Sequence, residues 1–381
     1  MKTNLRAICA AALVLFTGCS GKSSSTAKVN LSDISKNTEL GEYDNLSVRC
    51  NVTLPQVEKL CTFSIKGAPG DDPDENSETN KAAKQKAAKL IESYSGKKPG
   101  DDEIIFRKEE YNSGSLVSVS FDYTDTSTGI AYSYAAGGGF TIRDTGAAND
   151  VHNAECLSYA FINGSSEVLL DSEIKGFSAQ EAIELCNREA AGKLSSIIPE
   201  DELVPHSIAS YRFADGSSAY CVIYAKKLNG LTLAEAGDFG FCDTGFIKPS
   251  YVCVQVNDMR NIYSIINFYP NVYEEASMKE IENGSFITLP DALGLLSDYL
   301  AENKTYEVEG ISMVYFLPTR MKEGSSEFIY TEYIPGYEVI LESRSSSQSN
   351  LFPRKAAYID MVTGKIYISD PIDQIRFFNM D

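Results

Sequence analysis

The sequence predicts an α+β protein, with an N-terminal α+β domain followed by two similar modules, each of one helix packed on an antiparallel sheet. Three observations lead there. Apolar residues recur at helical spacing in a stretch at residues 81–94 and again after Ser178 and after Thr288. Between these stretches, short runs alternate apolar and polar residues at the period of a strand. The order helix, two strands, closing hairpin occurs twice in the last 230 or so residues.

The chain opens with Lys2 and Arg6 and then an apolar run over residues 7–16, far short of the roughly 20 residues that cross a membrane as a helix. That layout is a secretory signal. Its end, Phe16-Thr17-Gly18-Cys19, resembles the lipobox of bacterial lipoproteins, although Phe16 stands where leucine is usual and Leu15 lies one step too early. The resemblance implies cleavage after residue 18 and a diacylglyceryl thioether on Cys19. It also implies anchorage on the extracellular face of the cytoplasmic membrane. Residues 19–38 are polar and Ser-rich and read as a flexible tether.

A first domain is expected over residues 39–148. Its strand-like opening, ELGEYDNLSVRCNVTL, leads to the acidic loop GAPGDDPDEN, and KAAKQKAAKLIESY follows as an amphipathic helix. SLVSVSFDYTDTSTGIAYSY then alternates at period two around a turn from Asp125 to Gly129, which is a hairpin. The opening is also similar, over Leu40–Asp44 and Val52–Val57, to that of trigger-factor-like foldase lipoproteins.

The two modules are expected over 149–268 and 269–381. Phe177-Ser178-Ala179-Gln180-Glu181-Ala182-Ile183 matches Ile287-Thr288-Leu289-Pro290-Asp291-Ala292-Leu293 in chemical type, position by position. Each offers a staple residue, a hydroxyl N-cap and an acid three places on, which can bond back to the cap and favours the positive end of the helix. IASYRF and AYCVIYAKK follow the first helix, ISMVYFL and YEVILES the second, and the hairpins VCVQVNDMRNIYSI and AAYIDMVTGKIYIS close the copies. Thr288-x-x-Asp291-Ala292 and the turn from Asp360 to Lys365 resemble the PepSY module and YycI-type extracellular regulators. In the first copy, Asp258-Met259-Arg260-Asn261 replaces that turn. The resemblance implies a noncatalytic envelope module that contacts a protein partner, often a protease or sensor kinase.

Composition narrows the function further. The formal net charge is -19, and loss of Lys2 and Arg6 with the signal takes it to -21. So acidic a surface repels nucleic-acid phosphates and argues against a nucleic-acid partner. It also leaves the membrane to be met through lipid on Cys19. Of nine cysteines, Cys9 leaves with the signal and Cys19 carries lipid. Cys50, Cys61, Cys186, Cys221 and Cys253 lie at core positions of strand or helix patterns. Free thiols and a Cys50 to Cys61 bridge both remain open.

Catalytic chemistry is sparse, and no cofactor is implied. The nucleophile elbow G-x-S-x-G does not occur. His152 and Cys156 would share a face if their segment were helical, offering a thiol with a base or two metal ligands. No C-x-x-C pair completes a metal site, so a loop histidine beside a core thiol is the favoured reading, as is a surface loop for His206. Asp72, Asp74 and Asn76 have alternate calcium-ligand spacing, but Ser77 replaces the turning glycine and Ala83 the closing glutamate. Gly137–Gly139 precede a strand, which makes them a turn or bulge. The tyrosines read as core or sheet-face residues, with a partner groove or open sheet edge as the other reading. The function expected is therefore noncatalytic protein binding or regulation at the envelope. Its alternatives are a solute- or glycan-binding lipoprotein, or a foldase or hydrolase.

Overall fold

The computed structural model describes residues 27–35, 40–50, 52–64, 72–111, 116–147, 154–162, 168, 170–194, 203–234, 240–242, 245–247, 251–267, 277–300, 305–321, 328–330, 332–341 and 355–369. Helix α1 (Leu31–Ile34) and strands β1 (Leu46–Val48) and β2 (Cys61–Ser64) come first. Helix α2 (Glu78–Ser95) begins where Ser77 Oγ accepts from Asn80 N–H and ends at Gly96, whose φ of 73° supplies the left-handed cap. Strands β3 (Ile105–Tyr111), β4 (Leu116–Asp125), β5 (Ile130–Ala135), β6 (Phe140–Asp144) and β7 (Glu155–Phe161) follow.

Helix α3 (Ala179–Cys186) starts in a full capping box. Ser178 accepts from Glu181 N–H, and the Glu181 carboxylate accepts from Ser178 N–H. It runs on through a π turn (Asn187–Ala191) into α4 (Gly192–Leu194). Next come β8 (Leu203–Arg212), β9 (Ser218–Leu228), β10 (Leu231–Leu233), β11 (Gly240–Cys242), β12 (Gly245–Ile247), β13 (Tyr251–Asn257), β14 (Ile262–Asn267) and β15 (Lys279–Glu280). Helix α5 (Leu289–Tyr299) opens on Thr288, which accepts from Asp291 N–H, with Pro290 in its first turn. The chain closes with β16 (Tyr306–Phe316), β17 (Thr319–Met321), β18 (Phe328–Tyr330), β19 (Glu332–Leu341), β20 (Lys355–Asp360) and β21 (Ile366–Ser369).

Strands dominate, and this corrects the expected α+β class with its two helix-on-sheet modules. Seventeen strands join into one mixed sheet, and β12-β11-β18-β17 form a separate small one. Three times a helix is followed by four strands paired in chain order: β3-β4-β5-β6, β8-β9-β13-β14 and β16-β19-β20-β21. None of these stands as a separate module, because each run continues into another. β14 pairs with β6, which makes β3-β4-β5-β6-β14-β13-β9-β8-β7 one antiparallel run. β10 pairs with both β9 and β16, while β1 and β2 pair with β16 and β19. Backbone groups along a strand edge need partners, and neighbouring runs supply them here.

The residues expected to form a tether also enter the body. Val29 bridges to Phe286, and Ile34 is 1% exposed in the main core with α5. Residues 29–34, within the expected tether, are therefore packed on the body.

Register places the helices on one face. Val222, Val254 and Ile265 stand side by side across β9, β13 and β14 and share a core with α2 and α3. That face runs on through Leu228 opposite Leu231 to Met313, Tyr315 and Tyr337, which pack with α5. The reverse face has two smaller apolar clusters, one around Tyr211, Cys221 and Cys253 and one around Val314 and Phe316.

Candidate functional site: the reverse face and edge of the sheet

Cys19 and His152, the lipidation site and one half of the expected pair, lie outside the described residues. Cys156 sits in strand β7, not in a helix, so the four-residue spacing that would bring a histidine onto its face does not apply. It stands opposite Tyr211 on the reverse face, half-buried, its sulfur 3.8 Å from the Ser158 carbonyl. His206 is in strand β8, not a surface loop, and its ring meets Phe161 edge-on at 4.8 Å. Proline is tolerated in β8 because register slips between Pro205 and Ser207, making His206 a bulge residue. Among the described residues, no cluster of His, Cys, Asp or Glu is placed to hold a metal.

The thiols are packing groups. Cys50, Cys61, Cys156, Cys186, Cys221 and Cys253 are not in disulfides, and Cys186, Cys221 and Cys253 are fully buried. Burial pushes the Cys186 thiol far above its ordinary range. Tyr211, also fully buried, has its phenol pushed well up by desolvation and then by Cys156, Cys221 and Cys253 nearby. Its hydroxyl and that of Ser207 have no hydrogen-bond partner among the described residues. Leaving a buried hydroxyl unsatisfied costs about 1–3 kcal/mol.

A second polar group lies on the reverse face at β16, β19 and β20. Glu338, 2% exposed, accepts from Ser312 Oγ at 2.9 Å and from Tyr358 O–H at 3.1 Å. Phe316 stacks on Tyr358 at 5.3 Å and meets Tyr367 edge-on. The carboxylate clips three strands together. The acidic loop, whose calcium-like spacing lacks the turning glycine and closing glutamate, is likewise a cap: Asp72 and Asp74 carboxylates accept from the backbone two residues on, and Asn80 Nδ2 donates to both their carbonyls.

The two ends of the nine-strand run differ sharply. Among the described residues β3 pairs with β4 alone and β7 with β8 alone, so both are edges of the described sheet. Strand β3 carries Arg107, Lys108, Glu109 and Glu110, with Arg107 paired to Asp122 at 2.7 Å. Strand β7 has a single charge, Glu155, and then reads Cys-Leu-Ser-Tyr-Ala-Phe, half-buried throughout. Its far end is pinned, because a β-carbon on Gly310 would lie 2.5 Å from the Phe161 ring. Ile162 N–H donates to His206 C=O, and by antiparallel alternation the backbone groups of Phe161 are directed away from β8.

Sequence reasoning missed Glu338, an acid inside the apolar run of β19, and missed Phe161 on Gly310. The signal for the edge was there: one strand interleaved with charge and one almost without it.

No family model matches the chain, and comparison with curated proteins gives no match. Among solved structures, the chain is similar to the crystal structure of an uncharacterized protein from Eubacterium rectale ATCC 33656. The TM-score is 0.51 at 13% identity, covering 86% of this chain and 92% of that one. The likeness is one of fold along nearly the whole length.

Proposed function

We propose that the protein is an envelope lipoprotein, anchored through a diacylglyceryl lipid on Cys19 at the extracellular face of the membrane, that binds a protein partner and performs no reaction of its own. The observation that carries this reading is the almost uncharged edge strand β7, set against the charged edge strand β3 at the other end of the run. Natural sheets blunt the edges they leave open with charge, so an apolar edge is one meant to be covered. An extended segment of the partner adds to β7 as a tenth strand, its backbone giving affinity and alternate side chains giving selectivity. The lipobox-like Phe16–Cys19 supports the anchorage.

The test is crosslinking and affinity capture of the lipidated chain from the envelope, beside a Leu157→Lys form that gives β7 a charge like those of β3. Among the described residues Leu157 belongs to no hydrophobic cluster, and it sits at the bulge between Cys156 and Ser158. A protein captured by the native chain and lost with Leu157→Lys supports the reading. Equal capture by both forms, or capture of nothing above background, overturns it.

A further inference from the structure

We propose that the outward face of α2 docks on an anionic lipid bilayer. In a chain with 53 acids against 34 bases, residues 79–91 hold Lys81, Lys84, Lys86 and Lys89 and no acid at all. The helix buries Asn80, Ala83, Ala87, Leu90 and Ile91 against the sheet, which leaves Lys81 and Lys89 on the outward side, two turns apart, between Glu78 and Glu92 on that same side, with Lys84 and Lys86 on opposite flanks. Lys81 pairs with Glu78 at 2.9 Å, whereas Lys84, Lys86 and Lys89 make no ion pair among the described residues.

With no ion pair among the described residues, Lys84, Lys86 and Lys89 outnumber the one acid beside them, Glu92 one turn beyond Lys89, and form a local field of the opposite sign. Charges more than about 8 Å away are screened at physiological ionic strength, so the distant carboxylates do not cancel it. Uncharged Ala82, Gln85 and Ala88 fill the surface between, and lysine stems can lie along it with their ammonium groups at the phosphates. A bilayer is the occupant favoured by chain length. Only seven residues lie between Cys19 and Ala27, where the described residues begin, and the eight steps across them reach at most about 30 Å when fully extended. That proximity rests on the lipid-anchor reading; the lysine face does not.

The experiment therefore uses the mature chain with Cys19→Ser, which cannot be lipidated, so its failure is separable from failure of the anchor. Binding is measured by co-sedimentation with phosphatidylcholine vesicles containing about a quarter phosphatidylglycerol, and with pure phosphatidylcholine. The native face should bind the anionic vesicles alone. Triple reversal to Lys84→Glu, Lys86→Glu and Lys89→Glu should weaken binding at least about a hundredfold, at roughly fivefold per lysine. Triple change to arginine should preserve it. Circular dichroism of the reversed form checks that α2 is intact. Equal binding to both vesicles, binding unchanged by reversal, no binding, or binding to soluble polyphosphate but not vesicles would overturn the proposal.

Discussion

Strands β3 and β7 close opposite ends of the same antiparallel run, and each pairs with one neighbour among the described residues. Their surroundings are otherwise unlike. β3 interleaves charges along its length, and Ile105 at its start is 57% exposed. β7 carries one charge, is half-buried from Cys156 to Phe161, and is held at its end by an aromatic ring on a glycine. The pairing rules are identical, so the difference lies in the side chains. A solvent edge tolerates no apolar strand, and a recognition edge needs one.

The largest stability change is expected where β7 is pinned. Gly310→Ala forces a methyl group against the Phe161 ring, and overpacking of this kind costs roughly 1–3 kcal/mol, read as a lower Tm and denaturant midpoint. An unchanged midpoint would mean the ring does not rest there. Next, Leu157→Lys should reduce partner capture about tenfold or more while shifting stability by no more than ~0.5 kcal/mol. Equal losses of capture and stability would turn the edge effect into a folding effect.

A smaller effect is expected on the β3 side of the sheet. Asp125 closes the hairpin between β4 and β5, where the Lys97 ammonium at 2.9 Å and then Ser127 hold its carboxyl well below the usual carboxylate range. A folded pKa below the unfolded value of about 3.9 gives stability that is complete above that value and lost as pH falls toward the folded one. Asp125→Asn should therefore lie below the native protein in stability at neutral pH, with the two converging below about pH 4. A gap that widened with acid would reverse the assignment. The smallest effect should come from replacing the guards of β3. Arg107→Thr with Lys108→Val should leave the fold intact and introduce weak, concentration-dependent self-association in sedimentation. An association state unchanged from the native chain would show that charge is not what protects this edge.

Local features were legible in the sequence because their partners are close along the chain. Ser178 with Glu181, Thr288 with Asp291, and the turn at Asp360 all act over three or four residues and form as their spacing implies. Strand pairing is nonlocal, and there the reading failed. Nothing in the alternation of β14 reveals that its second edge meets β6, or in β10 that it meets β16, and those pairings dissolve separate modules into one sheet. Cys156 was read through helical spacing in a segment that is a strand, and Pro205 pointed to a loop where a bulge absorbs the proline. Glu338 was hidden because one acid among 53 carries no mark of burial until Ser312 and Tyr358 are brought to it from other strands.

The most direct measurement places one photo-crosslinking side chain at Leu157 of β7 and, in a second form, at Lys108 of β3, in the full-length chain within intact envelopes. The account predicts a discrete protein adduct from position 157 and none from position 108. Adducts of equal yield from both, or from position 108 alone, would contradict it.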